Sequence, residues 1–309
     1  MELVVDKINK SFGDNHVLRD ISFSVRSGAT YGLIGRNGSG KTTTIRVIMG
    51  LFPADSGSVA IDGEPPGRSG ARLGYLPEER GLYPKCVIAD QMAYIGQLRG
   101  MAASAARRRS VELLERLDAG EYYKKKLNTL SKGNQQKIQL AAALIDDPEI
   151  VILDEPFSGL DPVNARILKE LVTELARGGR MVIFSSHQMS HVEEFCDEIC
   201  MIDKGQVVLA GNLKAIKRSY PRNRMLISPE DGAEGALRGA LAQPEAGALL
   251  ASAEDTPRGT LATLRDERDR GRLLALITQS GAGLDAFSVV EPTLEEIFVE
   301  KAGEADEAV

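Results

Sequence analysis

A chain of 309 residues, 43% hydrophobic and 27% charged, has room for two domains and the composition of a folded globular protein, which excludes a wholly disordered chain. No apolar run approaches the roughly 18 residues of a membrane span, and the first six residues lack both a basic and a long apolar leader segment. The chain is therefore expected to carry no secretory signal and, if it works at a membrane, to rely on a partner for spanning helices. The net charge of −6 is uneven: residues 222–309 hold 17 acidic and 9 basic side chains, a local −8 that leaves +2 for 1–221. Such a balance argues against a role built on wrapping nucleic acid.

In chain order, residues 2–8 are β-prone. Ile21, Phe23 and Val25 alternate with serines, as in a half-buried strand. Residues 30–34 are expected as a strand and 42–49 as a helix stopped by Gly50. A short strand at 59–61 follows, closed by Asp62-Gly63. Residues 90–127 are expected to be mainly helical, from the spacing of Val111, Leu113, Leu114 and Leu117. Residues 150–153 and 181–184 are apolar on both faces, which suits central parallel strands covered by helices. Residues 164–175 between them have helical spacing, so the three form a β-α-β unit and the core is α/β. The chain changes character near Pro221. Beyond it the sequence is rich in Ala, Gly, Glu and Arg, with 273–277 as its clearest β-like run. Cys86, Cys196 and Cys200 lack metal-site spacing and are expected as reduced thiols, the last two able to share one helix face.

Gly35-Arg36-Asn37-Gly38-Ser39-Gly40-Lys41-Thr42 matches the phosphate-loop pattern G-x-x-x-x-G-K-[ST], set between an expected strand and an expected helix. Glycines let several backbone N–H groups point at one anion, and the helix start adds its dipole. Lys41 is expected to reach the β- and γ-phosphates and Thr42 to offer its hydroxyl to Mg²⁺. The 150–153 strand ends in Asp154-Glu155-Pro156, which puts two carboxylates at the edge where open α/β sheets bind ligands. Asp154 is expected to hold Mg²⁺, and Glu155 to orient or deprotonate the attacking water. His187 follows the 181–184 strand at the same edge, within reach of the γ-phosphate or that water. His16 and His191 read as ordinary surface or packing residues.

With Leu130-Ser131-Lys132-Gly133-Asn134-Gln135-Gln136-Lys137 placed 23 residues before Asp154, and Ser158-Gly159-Leu160-Asp161-Pro162 just after it, the chain resembles the ATP-binding subunit of an ABC transporter over about residues 1–215. Ser131, Lys132, Gly133, Asn134 and Gln135 resemble that family's signature motif. Ser158, Gly159, Leu160 and Asp161 resemble its D-loop, and Phe12 stands where the family stacks an aromatic ring on adenine. The resemblance implies a P-loop NTPase core with a parallel central sheet, an N-terminal antiparallel β subdomain and an inserted helical subdomain at about 88–140. It extends the ATP contacts to Arg36, Asn37, Gly38, Ser39, Gly40 and Thr43. It also implies a head-to-tail dimer, in which the loop at 35–42 of one subunit and the helix start at Ser131 of the other grip the same ATP with Mg²⁺.

Three departures from the family stand out. Lys132 replaces a signature glycine, and its cation either attracts the facing phosphate or points into water. Asn134 replaces a glutamine. Glu78 occupies the glutamine-loop position, where a carboxylate can ligate Mg²⁺ but adds negative charge beside phosphates. Residues 76–84, the Leu-Ser-Lys-Gly-Asn run and residues 291–298 (Glu-Pro-Thr-Leu-Glu-Glu-Ile-Phe) together resemble a bacterial subgroup of sodium-extrusion-type and drug-type exporters with a small α+β C-terminal domain. The expectation is a cassette over 1–221 and an accessory domain over 222–309, which is either an appendage without its own chemistry or a regulatory, dimer-stabilising one. The implied function is ATP hydrolysis that drives transport through separate transmembrane permease subunits. The chain would then be cytoplasmic and peripheral on the inner membrane face, with no nucleic-acid partner. A soluble ABC-type ATPase acting on nucleic acid or ribosomes is the alternative. It is disfavoured by the single phosphate loop and the absence of heptads, and an ATP-gated module without turnover is disfavoured by Glu155 and His187.

Overall fold

The computed structural model describes residues 1–79 and 81–307; Arg80, within the 76–84 stretch quoted above, and the last two residues lie outside them. The elements run β1 (Glu2–Phe12), β2 (Asn15–Arg26), β3 (Thr30–Ile34), α1 (Lys41–Ile48), β4 (Ser56–Ile61), β5 (Leu73–Leu76), α2 (Ile88–Leu98), α3 (Ala103–Arg116), α4 (Lys132–Ala143) and β6 (Ile150–Asp154). They continue as α5 (Pro162–Arg177), β7 (Met181–Ser186), α6 (Met189–Phe195), β8 (Glu198–Asp203), β9 (Gln206–Asn212), α7 (Leu213–Ser219), β10 (Arg224–Pro229), α8 (Glu234–Leu241) and α9 (Pro244–Leu249). The last are β11 (Leu250–Thr256), β12 (Gly259–Leu264), α10 (Arg270–Gln279), β13 (Leu284–Val289) and α11 (Leu294–Glu307).

The chain forms two compact units: Met1–Leu213 with the stretch from Leu294 onward, and Lys214–Thr293. The composition change near Pro221 thus falls inside the second unit, and the near-terminal helix α11 returns to the first. In the first unit, β3, β6 and β7 are buried along their whole length. Strands with two covered faces must be apolar throughout, which is why 150–153 and 181–184 read as they do. They form the middle of a six-stranded sheet, order β5-β6-β7-β3-β8-β9, parallel except for β9 at the edge. β5, β6, β7 and β3 therefore deliver their carboxyl ends to one edge. A separate antiparallel sheet, order β2-β1-β4, buries Leu18, Ile21, Phe23 and Val25. The helices α2, α3 and α4 pack on one another. This is the P-loop NTPase cassette fold: mixed α/β, with a parallel sheet and an antiparallel β subdomain.

Two expectations fail. Residues 273–277 lie in the helix α10, where Leu273 and Ile277, one turn apart, are the fully buried pair. Leu and Ala are strong helix formers, and a five-residue apolar run does not by itself distinguish helix from strand. Cys196 and Cys200 share no helix face, because α6 ends at Phe195 and Cys200 lies on β8. In the second unit the strand order is β11-β12-β10-β13, antiparallel throughout, with α8 and α9 before β11 and α10 before β13. That is the split β-α-β plait, closed by a core of Met225, Ile227, Leu237, Leu264, Leu273 and Ile277.

Candidate functional site: a phosphate loop with paired carboxylates

Gly35 leaves β3 at φ +157° with its Cα against the wall of the sheet: a Cβ there would stand 2.1 Å from the Ile202 carbonyl oxygen. Only glycine fits, so the loop can turn directly into α1. The N-terminus of α1 has no side-chain cap and no acidic residue in its first turn. Its N–H groups and positive dipole end are therefore open to an anion. Ser39 Oγ in the same loop is buried without a hydrogen-bond partner, an orphan that a phosphate oxygen would satisfy. Lys41, the first residue of α1, is buried. Its Nζ donates to the carbonyls of Gly35 at 2.9 Å and Arg36 at 3.2 Å, with Glu155 Oε1 at 3.8 Å. Burial holds its pKa below that of an ordinary lysine, against the opposing pull of the Glu155, Asp154 and Glu78 carboxylates.

Asp154 ends β6 with no solvent exposure. Its Oδ1 accepts from Ser185 Oγ and from Thr42 Oγ1 at 3.3 Å, and its Oδ2 from the Tyr75 hydroxyl at 3.5 Å. Burial first, and the charge of Asp154 second, push the Tyr75 pKa up to about 12, so this hydroxyl is a neutral donor. Ser185 also accepts the Glu155 N–H at 3.1 Å. One serine thus pins both acidic residues. Glu155 sits at φ +49°, the left-handed region that a non-glycine residue adopts at a cost. Its carboxylate accepts from His187 Nδ1 at 2.9 Å and faces Lys41. A cleft of about 450 Å³ opens over these groups, lined by Asn15, Val17, Asn37, Gly38, Gly40, Lys41, Thr42, Thr43, Glu78 and Glu155.

The structure thus gathers Lys41, Thr42, Asp154, Glu155 and His187, and puts the exposed Glu78 at the rim. It does not bring Ser131, Lys132, Gly133, Asn134 or Gln135 to this cleft. Ser131 caps α4 by accepting the Asn134 N–H at 3.3 Å, and Ser131 and Lys132 are exposed. Gly133 is buried; a Cβ there would lie 3.1 Å from Asn164 Nδ2 and 3.6 Å from Leu160, so the signature start packs on the D-loop and α5. Ser158 and Gly159 are exposed. Asp161 caps α5, accepting N–H groups from Val163 at 3.0 Å and Asn164 at 2.9 Å, which hold its carboxyl below the usual range. Phe12 is exposed, edge-on to Phe52 at 5.5 Å, and does not line the cleft. Sequence reasoning missed Ser185 and Tyr75, which bond Asp154, and also Asn15 and Val17. A larger cleft of about 920 Å³, between α5 and α6, contains none of the phosphate-loop or carboxylate residues.

Comparison with known proteins gives concordant results. The family model described as "ABC transporter" matches residues 18–158, and that described as "ATP-binding protein DrrA1-3-like, C-terminal domain" matches 211–302. The chain is 41% identical over 302 residues to the ABC transporter ATP-binding protein YhaQ of Bacillus subtilis, covering 97% of this chain and 98% of that protein. It is 32% identical over 311 residues to the linearmycin resistance ATP-binding protein LnrL of the same organism, covering 97% and 98%. A solved structure, titled as the ATP binding subunit of an ABC transporter, superposes with a TM-score of 0.65 at 29% identity, covering 71% of this chain and 93% of that one. No helix among the described residues is long and apolar enough to cross a membrane.

Proposed function

This chain belongs to the ABC transporter ATP-binding proteins, a family that hydrolyses ATP, and we propose that it does so through the residues gathered at its phosphate loop. The observation that carries this reading is the Glu155 carboxylate, held at 2.9 Å by His187 and 3.8 Å from Lys41 on the wall of the phosphate cleft. The α1 N–H groups and Lys41 take the triphosphate. Glu155 accepts a proton from water, the water oxygen bonds to the γ-phosphorus, and the bond to the β–γ bridging oxygen breaks with its electrons leaving on ADP. His187 keeps the Glu155 carboxylate aimed. Mg²⁺ fits the donor set: Thr42, Asp154 and Glu78 offer hard oxygen ligands. Among the described residues no group of three His, Cys, Asp or Glu side chains could hold a metal alone. That suits an ion shared with phosphates, which would neutralise their developing charge.

Because the signature residues 131–135 lie away from this cleft, the reading requires a second copy or a close paralogue to present them, head to tail. Residues 1–213 together with α11 act as the cassette, with the helical subdomain at about 88–140, and residues 214–293 as the accessory domain, in place of the expected division at 221/222. ATP-driven closure moves separate permease subunits, which hold the chain on the inner face of the membrane. Export is the proposed direction, in a sodium-extrusion or drug-type subgroup. The full-length similarity to a linearmycin resistance protein supports it, since a transporter protects a cell from a drug by moving it outward. Copurification from membranes tests this: a spanning partner is expected, and recovery with ribosomes or DNA instead would overturn it.

Glu78→Gln should bind ATP as tightly as the parent or up to about fivefold tighter, because an exposed carboxylate beside phosphates contributes less than about 1 kcal/mol. Titration with Mg·ATP checks this, and loss of nucleotide binding would contradict it.

A further inference from the structure

The 291–298 motif takes no part in the site above, yet its helix is firmly placed. α11 buries Leu294, Ile297, Phe298 and Ala302, one helical stripe, against the first unit. Its polar attachments reach the helix that follows His187 and the phosphate loop itself. The Leu294 N–H donates to the carboxylate of Glu193 on α6, the helix that follows His187. One turn on, the Arg36 guanidinium lies over the Phe298 ring, 5.4 Å from its centroid. Arg36 is the exposed crest of the phosphate loop. Its carbonyl accepts from Lys41 Nζ at 3.2 Å and from the Ser39 N–H at 3.1 Å.

We propose that Phe298 is a positioning residue for ATP binding: by seating Arg36 it fixes the loop crest, and with it the carbonyl that carries Lys41. The inference rests on the reading of 35–42 as the nucleotide loop. A ring face that attracts a guanidinium restrains a long, otherwise free side chain. A loop ordered beforehand binds its ligand with less entropy left to lose. Phe298 is buried, so this seat is part of the fold rather than a chance surface contact. Linkage adds the reverse effect: nucleotide that steadies the loop must steady α11.

The test uses the full chain, titrated with a fluorescent ADP analogue and Mg²⁺. Phe298→Leu keeps an apolar side chain but removes the ring face, and its Kd should rise about five- to tenfold. Arg36→Met should weaken binding to a similar degree, and the double variant should be no worse than the weaker single one. Ile297→Ala is the packing control: it lowers the urea midpoint but leaves Kd unchanged. Hydrogen exchange across 295–302 should slow on adding nucleotide in the parent and fail to slow in Phe298→Leu. A Phe298→Leu Kd within twofold of the parent, or exchange in α11 indifferent to nucleotide, overturns the proposal. Lys41→Met separates the two readings. If it binds normally, the loop assignment itself fails. If it loses binding while Phe298→Leu is unaffected, only the role of Phe298 fails.

Discussion

Glu155→Gln should lower steady-state ATP hydrolysis by at least about a hundredfold while leaving ATP binding intact. A positioned general base contributes roughly 10²–10⁴ in rate, and the amide cannot take the proton. Size and shape are conserved, so the strained φ of +49°, the N–H bond to Ser185 and the contact with His187 keep their geometry. Binding survives for an electrostatic reason. The substitution removes a negative charge 3.8 Å from Lys41 and beside the incoming phosphates, which favours the anion. With binding preserved and hydrolysis stalled, the nucleotide-sealed pair should accumulate, seen as a doubled mass in light scattering with Mg·ATP. Turnover at the parent rate would remove Glu155 from its role.

The parts of the fold legible in the sequence are those whose signal is local and redundant. β6 and β7 are fully buried, and a strand with two covered faces cannot hide its apolar run. α5 announces itself by helical spacing that includes the buried Leu168 and Leu171, although it begins at Pro162, two residues before the expected start. The phosphate loop is contiguous, so its chemistry is written in one line. The rest of the site is assembled by topology. Ser185 meets Asp154 only because β6 and β7 are parallel neighbours in that register, and Tyr75 arrives from β5 on the other side. Asn15 and Val17 reach the cleft from β2, and no spacing rule ties them to Lys41. The 273–277 run misleads for the converse reason: its period is too short to separate helix from strand, and tertiary burial of Leu273 with Ile277 decides. Phe298 is more than 250 residues from Arg36 in the sequence, and only the return of α11 to the first unit joins them.

Lys41→Met should abolish useful nucleotide binding, raising Kd by about thirtyfold or more, because removing one partner of a buried charged pair costs about 2 kcal/mol at least. The methionine keeps the buried stem, so the loop still packs, and what is lost is the ammonium. Lys41 is the cation that faces Glu155, with the carboxylates of Asp154 and Glu78 also acting on it. Without it, phosphates would enter a cleft whose nearest fixed charges are negative. The same burial supplies a pH signature. The pKa of Lys41 lies below that of an ordinary lysine, and the protonated form is the one that binds phosphate. Affinity is therefore complete below the pKa of the empty site and declines as pH rises through it, earlier than an exposed lysine would allow. Bound phosphate raises that pKa, so binding at alkaline pH takes up a proton. Titrations across neutral to alkaline pH should show Kd rising in the parent and flat in Lys41→Met. Equal pH profiles for the two proteins would contradict the assignment of the ammonium as the phosphate ligand.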